Sequence, residues 1–164
     1  MKNGIIIAGF KAIGKSTLAK KYENVVDLDS ANYKYIIDSQ MANIPEEQRK
    51  GLKTRIKNPD YPLNYYNAII ENCKNGKIVL IAGKKEMIDL LEKNNNEYYT
   101  VWPERKMLDE IIERCKKRGN NDDFVSNITN AYNRDYPSSD KNVIWMKQGE
   151  YLEDVLNKRN LLDV

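Results

Sequence analysis

One octapeptide constrains this chain more than any other stretch: Gly9-Phe-Lys-Ala-Ile-Gly14-Lys15-Ser16. It satisfies Gly-x-x-x-x-Gly-Lys-(Ser/Thr) at every fixed position. An apolar run rich in β-branched residues, Gly4-Ile-Ile-Ile-Ala8, precedes it, and Ser16 to Tyr22 has helical character. Strand, glycine loop and helix in that order form a nest for phosphate oxygens, built from loop N–H groups and the helix N-terminus. Gly9 and Gly14 permit backbone angles and close approaches that a Cβ would block. The phosphate-binding set expected is Gly9, Lys11, Ala12, Ile13, Gly14, Lys15, Ser16 and Thr17. In this motif Lys15 reaches the β- and γ-phosphates, the Ser16 hydroxyl is a magnesium ligand, and Thr17 flanks the α- and β-phosphates. ATP and Mg2+ are therefore the expected cofactors.

The rest of the chain alternates short apolar strands with helices. Strands are expected near residues 4–8, 25–28, 77–82, 98–102 and 143–146. Helices are expected over 16–22, 30–41, 45–57, 64–75, 86–94, 104–117, 122–134 and 150–158. Asp29 or Ser30, and Asp122 or Asp123, are candidate N-caps, while Gly76 and Gly119 are helix stops. Such alternation predicts an α/β fold, a parallel sheet with helices on both faces.

Composition removes whole chemistries. With no histidine among 164 residues, there is no Ser-His-Asp or Cys-His nucleophile system and no HExxH zinc site. A net charge of +3 is too mild for a nucleic-acid-wrapping surface, so no nucleic-acid partner is expected. No apolar run approaches bilayer length, and residues 1–9 lack a leader's h-region, so no membrane partner is expected. Cys73 and Cys115 carry no metal spacing and read as free thiols of a reducing cytoplasm. The excess of Lys over Arg and the many Asn and Ile residues have AT-rich codons, which suggests a low-GC bacterium or its phage. A monomer or homodimer is expected.

The acids narrow the class. There is no Asn-Lys-x-Asp for guanine. The strand near 77–82 runs into Gly83-Lys84-Lys85, not the acidic pair of motor ATPases. Asp27 and Asp29 end the second strand instead, in the crevice that the phosphate loop faces. Two readings stand: magnesium-water and substrate contacts, or loop support by Asp27 and helix capping by Asp29.

On Gly9–Thr17, Asp27-Leu-Asp29 and the helix and lid near 105–134, the chain resembles the small phosphate-loop kinases of metabolites and nucleoside monophosphates. That resemblance implies a three-layer P-loop NTPase fold with a five-stranded parallel sheet of order 2-3-1-4-5. It implies one domain over 1–164, an acceptor-binding helical region over about 30–75 and a short lid over about 118–128. Asp-x-Asp is similar to the shikimate-kinase pattern, where the first acid supports magnesium (here Asp27, with Ser16) and the second binds the acceptor (here Asp29). Arg114-Cys-Lys-Lys-Arg118-Gly119 is similar to the adenylate-kinase entry into the lid, where two arginines contact adenine and the ATP phosphates. Asp122, Asp123 and Arg134 are similar to the far side of such a lid. The chain departs from monophosphate kinases after its third strand, where no Asp-Arg or Pro-Arg pair follows, so Lys84 or Lys85 has to replace it.

Residues 30–75 also bring Arg49, Lys53, Arg55 and five tyrosines to the acceptor side; cations suit an anionic acceptor and tyrosines a flat base or sugar edge. The expected acceptor set is Asp29, Arg55 and Lys84, and the expected catalytic set Lys15, Asp29, Arg114 and Arg118. The expectation is ATP-dependent phosphoryl transfer to a small acceptor, with a (deoxy)nucleoside 5′-monophosphate first. A hydroxyl acceptor (a metabolite, modified nucleotide or DNA end), a non-catalytic nucleotide-binding regulator and a hydrolytic ATPase stand as rivals.

Overall fold

A computed structural model describes residues 3–163. Five strands form the main sheet: β1 (Ile5–Gly9), β2 (Val25–Leu28), β5 (Ile78–Ala82), β6 (Tyr99–Pro103) and β7 (Val143–Met146). Their order is β2-β5-β1-β6-β7 and every pairing is parallel. Counted along the main sheet alone this is 2-3-1-4-5, the expected topology. A second, two-stranded sheet pairs β3 (Tyr35–Ile36) with β4 (Ile56–Lys57) in antiparallel register, Tyr35 opposite Lys57.

Because a strand points alternate side chains to opposite faces, the near-continuous apolar strands bury both. Ile7, Ile78, Leu80 and Val101 share one core with Leu18 of α1 (Lys15–Lys21), Ile111 and Cys115 of α7 (Leu108–Lys117), and Leu152, Val155 and Leu156 of α10 (Leu152–Lys158). Ile6, Ala8, Val79 and Ile81 share the other with Tyr65 and Ile69 of α5 (Leu63–Lys74), and Met87 and Leu91 of α6 (Lys85–Lys93). These are the three layers.

Three helix expectations are corrected. The stretch 30–41 is not one helix but α2 (Ala31–Lys34), β3 and α3 (Ser39–Ala42). Tyr35-Ile36-Ile37 is an aromatic and β-branched run, and extended pairing with β4 wins over helix propensity there. The stretch 45–57 keeps only α4 (Glu46–Arg49) before Gly51, at φ 84°, turns the chain toward β4. The stretch 122–134 splits at Asn127 into α8 (Asp122–Ser126) and α9 (Ile128–Arg134). Asn121, not Asp122 or Asp123, caps α8, its Oδ1 accepting from Phe124 N at 2.9 Å. The helix over 64–75 does form, but as α5 against the sheet; α2 packs on it through Tyr33, and residues 35–57 stand apart from the layers.

Tyr65 ties this body to the crevice. Wholly buried, it donates from Oη to Leu28 O at 2.5 Å and accepts from Ala82 N at 3.3 Å, joining the ends of β2 and β5. Tyr65→Phe removes both bonds and takes this partner from Leu28 O and Ala82 N. The expected cost is about 1–3 kcal/mol, read as a lower urea midpoint with an unchanged m-value.

Candidate active site

The glycine loop runs between β1 and α1 at the carboxyl edge of the central strand, where neighbours β5 and β6 diverge in connectivity. Five of its carbonyls, those of residues 9, 10, 12, 13 and 14, are occupied. Gly9 O accepts from Gly83 N at 3.0 Å, Ala12 O from Arg114 Nη1 at 3.1 Å, Ile13 O from Leu152 N at 2.8 Å and Gly14 O from Leu18 N at 3.0 Å. Phe10 O accepts from Lys15 Nζ at 2.6 Å. Among the described residues, the N–H groups of residues 11–17 donate to no protein acceptor. Positive φ at Ala12 (56°) and Gly14 (103°) produces this inversion. A row of free amides beside a lysine is an anion nest.

Cations gather around the nest: the charges of Lys84 and Arg134 act on Lys11, and those of Arg118 and Lys50 on Lys15. Burial lowers the Lys15 ammonium to about 8; Asp27 and then Asp29 oppose this, while Arg118 and Lys50 add to it. Burial lowers Lys11 further, to about 7, helped by Lys84, Lys15 and Arg134. Asp27 is pushed up, by burial first, although Lys15 pulls the other way.

Asp29 lines a cleft and its charge acts on Lys15 of the nest. Its Oδ1 accepts from Ala31 N at 2.9 Å, so it does cap α2, and Oδ2 lies 3.6 Å from Lys50 Nζ. The cleft encloses about 390 Å3, open mouth included, with Asp29, Asn32, Glu46, Arg49, Lys50 and Arg55 as polar walls. Tyr35, Ile36, Ile37 and Met41 are its apolar wall. The Arg55 guanidinium stacks on the Tyr35 ring at 3.8 Å from the centroid.

Of the residues singled out from the sequence, the fold brings Lys11, Lys15, Asp27, Asp29 and Arg118 into one electrostatic group, with Arg55 in the adjoining cleft. Ser16 is exposed at the start of α1. Arg114 is placed elsewhere. Its side chain is 11% exposed and braces the outside of the loop, donating also to Glu150 O at 2.8 Å and to the Glu110 carboxylate. It stacks on Tyr151 at 3.9 Å. Lys84 does not line the Asp29 cleft; its charge acts on Lys11 beside the Arg134–Asp135 pair. Lys50, which meets Asp29 and whose charge reaches Lys15, escaped the sequence reading. The Gly51 that follows it was the available signal, a helix stop delivering the last side chain to the crevice.

An oxygen-only set suits a magnesium ion. Among the described residues no cluster of three or more His, Cys, Asp or Glu could hold a metal. The chain can offer Ser16 Oγ and the Asp27 carboxylate, whose burial against solvent favours a cation beside it.

No protein-family model matches the chain, and no curated protein matches it in sequence. Among solved structures the fold is similar to that of a gluconokinase from Sinorhizobium meliloti 1021. The TM-score is 0.57 at 14% identity, over 98% of this chain and 91% of that one. At that identity the likeness speaks to the fold, a three-layer phosphate-loop architecture. No described helix is long and apolar enough to cross a membrane.

Two lysines titrating near 7 and 8 give the nest a pH signature. Each is charged below its own value and neutral above it, so an anion is held best at low pH. Sulfate, which does not titrate in this range, should bind roughly tenfold more weakly at pH 9 than at pH 6. Calorimetric titration reads this, and Lys15→Ala should weaken binding and leave a shallower profile set by Lys11 alone.

Proposed function

We propose that this chain is an ATP-dependent small-molecule kinase whose acceptor lies in the cleft over Asp29. The observation that carries the reading is Asp29, which lines that cleft while its charge acts on the half-buried Lys15 of the amide nest. Residues 1–164 would act as one domain, with residues 31–57 as the acceptor segment and 118–128 as the lid.

ATP phosphates would accept from the free N–H groups of residues 11–17 and from Lys15, which exchanges its bond to Phe10 O for them. Ser16 and Asp27 would hold Mg2+, which supplies charge neutralisation on the β- and γ-oxygens. Arg118, whose charge already acts on Lys15, would face the transferring phosphoryl. Arg114 would act as a positioning residue through Ala12 O and not as a catalytic one. Transfer of this kind is positioning plus electrostatics, with little covalent work by the protein.

The acceptor best supported is a (deoxy)nucleoside 5′-monophosphate. The apolar wall of Tyr35, Ile36, Ile37 and Met41 suits a base, and Arg49, Lys50 and Arg55 suit its phosphate. That phosphate oxygen is already ionised, attacks the γ-phosphorus directly, and ADP leaves. A hydroxyl acceptor is favoured by one observation, a carboxylate in the cleft; there Asp29 takes the hydroxyl proton as the new P–O bond forms. The gluconokinase likeness is compatible with this second reading.

Incubation with magnesium-ATP and a panel of nucleoside monophosphates and polyols should give acceptor-dependent ADP. Lys15→Ala should cut kcat by about 10^2-fold or more. Asp29→Asn separates the acceptors: with a monophosphate mainly KM rises, with a hydroxyl kcat collapses. ADP formed at the same rate without any acceptor would make the protein a hydrolase. Tight ATP binding without turnover would make it a regulator.

A further inference from the structure

The lid and the acceptor segment, far apart in sequence, are joined directly across the mouth of the site. Asn120, only 8% exposed, donates from Nδ2 to Glu47 Oε2 at 2.9 Å and to Glu47 O at 3.2 Å. Asn121 Nδ2 donates to Gln48 O at 2.7 Å and also to Lys50 O. Gln48 Nε2 donates back to Gly119 O. Arg118 lies 3.4 Å from Glu47 Oε2. Gly51 rests on the first turn of α8 so closely that a Cβ there would come within 2.9 Å of Phe124 N.

Both ends of this junction reach the nest. Phe124 lies under the Lys11 ammonium, 5.0 Å from the ring centroid. Glu47 Oε1 holds Lys50 Nζ at 3.2 Å, and Lys50 meets Asp29. Residues 31–34 are anchored to the body, Tyr33 lying 5.0 Å from the Tyr65 ring and accepting at its carbonyl from Asn64 Nδ2 at 2.9 Å. The stretch 38–57 beyond them has little to fix it, since only Met41 there is buried. Its position is therefore set by polar contacts with the lid and with Asp29, and lightly packed segments of this kind open locally at low cost.

We infer that Asn120 and Asn121 are positioning residues that make lid and acceptor segment close as one body, so that nucleotide in the nest assembles the acceptor cleft before an acceptor arrives. Anions in the nest draw in Lys11 and Arg118. These carry Phe124 and Glu47, and the asparagines carry residues 47–51. This rests on the proposal that the nest binds nucleotide.

Asn121→Asp tests it cleanly, because an aspartate keeps the Oδ1 cap on Phe124 N and loses the two donated bonds to Gln48 O and Lys50 O. Hydrogen exchange is followed by mass spectrometry on the full chain, with and without magnesium-ADP. In the parent protein ADP should slow exchange at least about fivefold in both 118–128 and 38–57. In Asn121→Asp, ADP affinity should stay within about threefold and the lid should still be protected, while 38–57 loses its protection. Unchanged exchange in β1 and β5 excludes general unfolding; Asn120→Asp serves as the second variant if Asn121→Asp fails that control. Protection confined to the lid in the parent, or equal protection of 38–57 in the variant, overturns the coupling alone. Absence of ADP binding to the parent overturns the nucleotide reading together with it.

Discussion

Everything in the crevice depends on one backbone inversion. Buried peptide groups normally find partners, and here loop carbonyls do, accepting from Lys15, Arg114, Gly83 and Leu152. The matching amides are left to an anion. The surrounding fold holds this asymmetry in place from three directions: the helix α7 through Arg114, the start of α10 through Leu152 N, and the end of β5 through Gly83 N.

The electrostatics follow from that geometry. Lys11 and Lys15 are drawn into a region where their own charges are disfavoured, and Asp27 is held where its negative charge is disfavoured as well. A phosphate chain and a divalent cation would relieve all three at once. Pre-assembled charge of the wrong sign balance is the physical form that readiness for such ligands takes.

Legibility from sequence divided along the kind of force involved. Layers, strand order and the loop are written in apolar runs and a spaced glycine motif, both local patterns. Residues 31–57 were misread because their conformation is set by tertiary pairing: Ile36 opposite Ile56 is an antiparallel contact that helix propensity cannot anticipate. Arg114 and Arg118 share a helix end and looked equivalent. The fold separates them, since one faces a loop carbonyl and the other a carboxylate of α4. Asn120 and Asn121 gave only a loop signal, because a side-chain amide announces nothing about which backbone it will meet. Lys84 looked interchangeable with an arginine of the acceptor site, but the turn after Gly83 carries it toward Lys11.

The thin burial of residues 31–57 has a consequence for how such a protein can change. Met41, Arg49, Lys50 and Arg55 belong to neither of the two sheet cores. The choice of molecule taken into the cleft can therefore drift by single substitutions while the layered body keeps its stability, and the elements holding the phosphate loop need not be rebuilt each time. Under the function proposed, recognition and folding would draw on almost separate sets of side chains, which would leave the first free to diverge faster than the second.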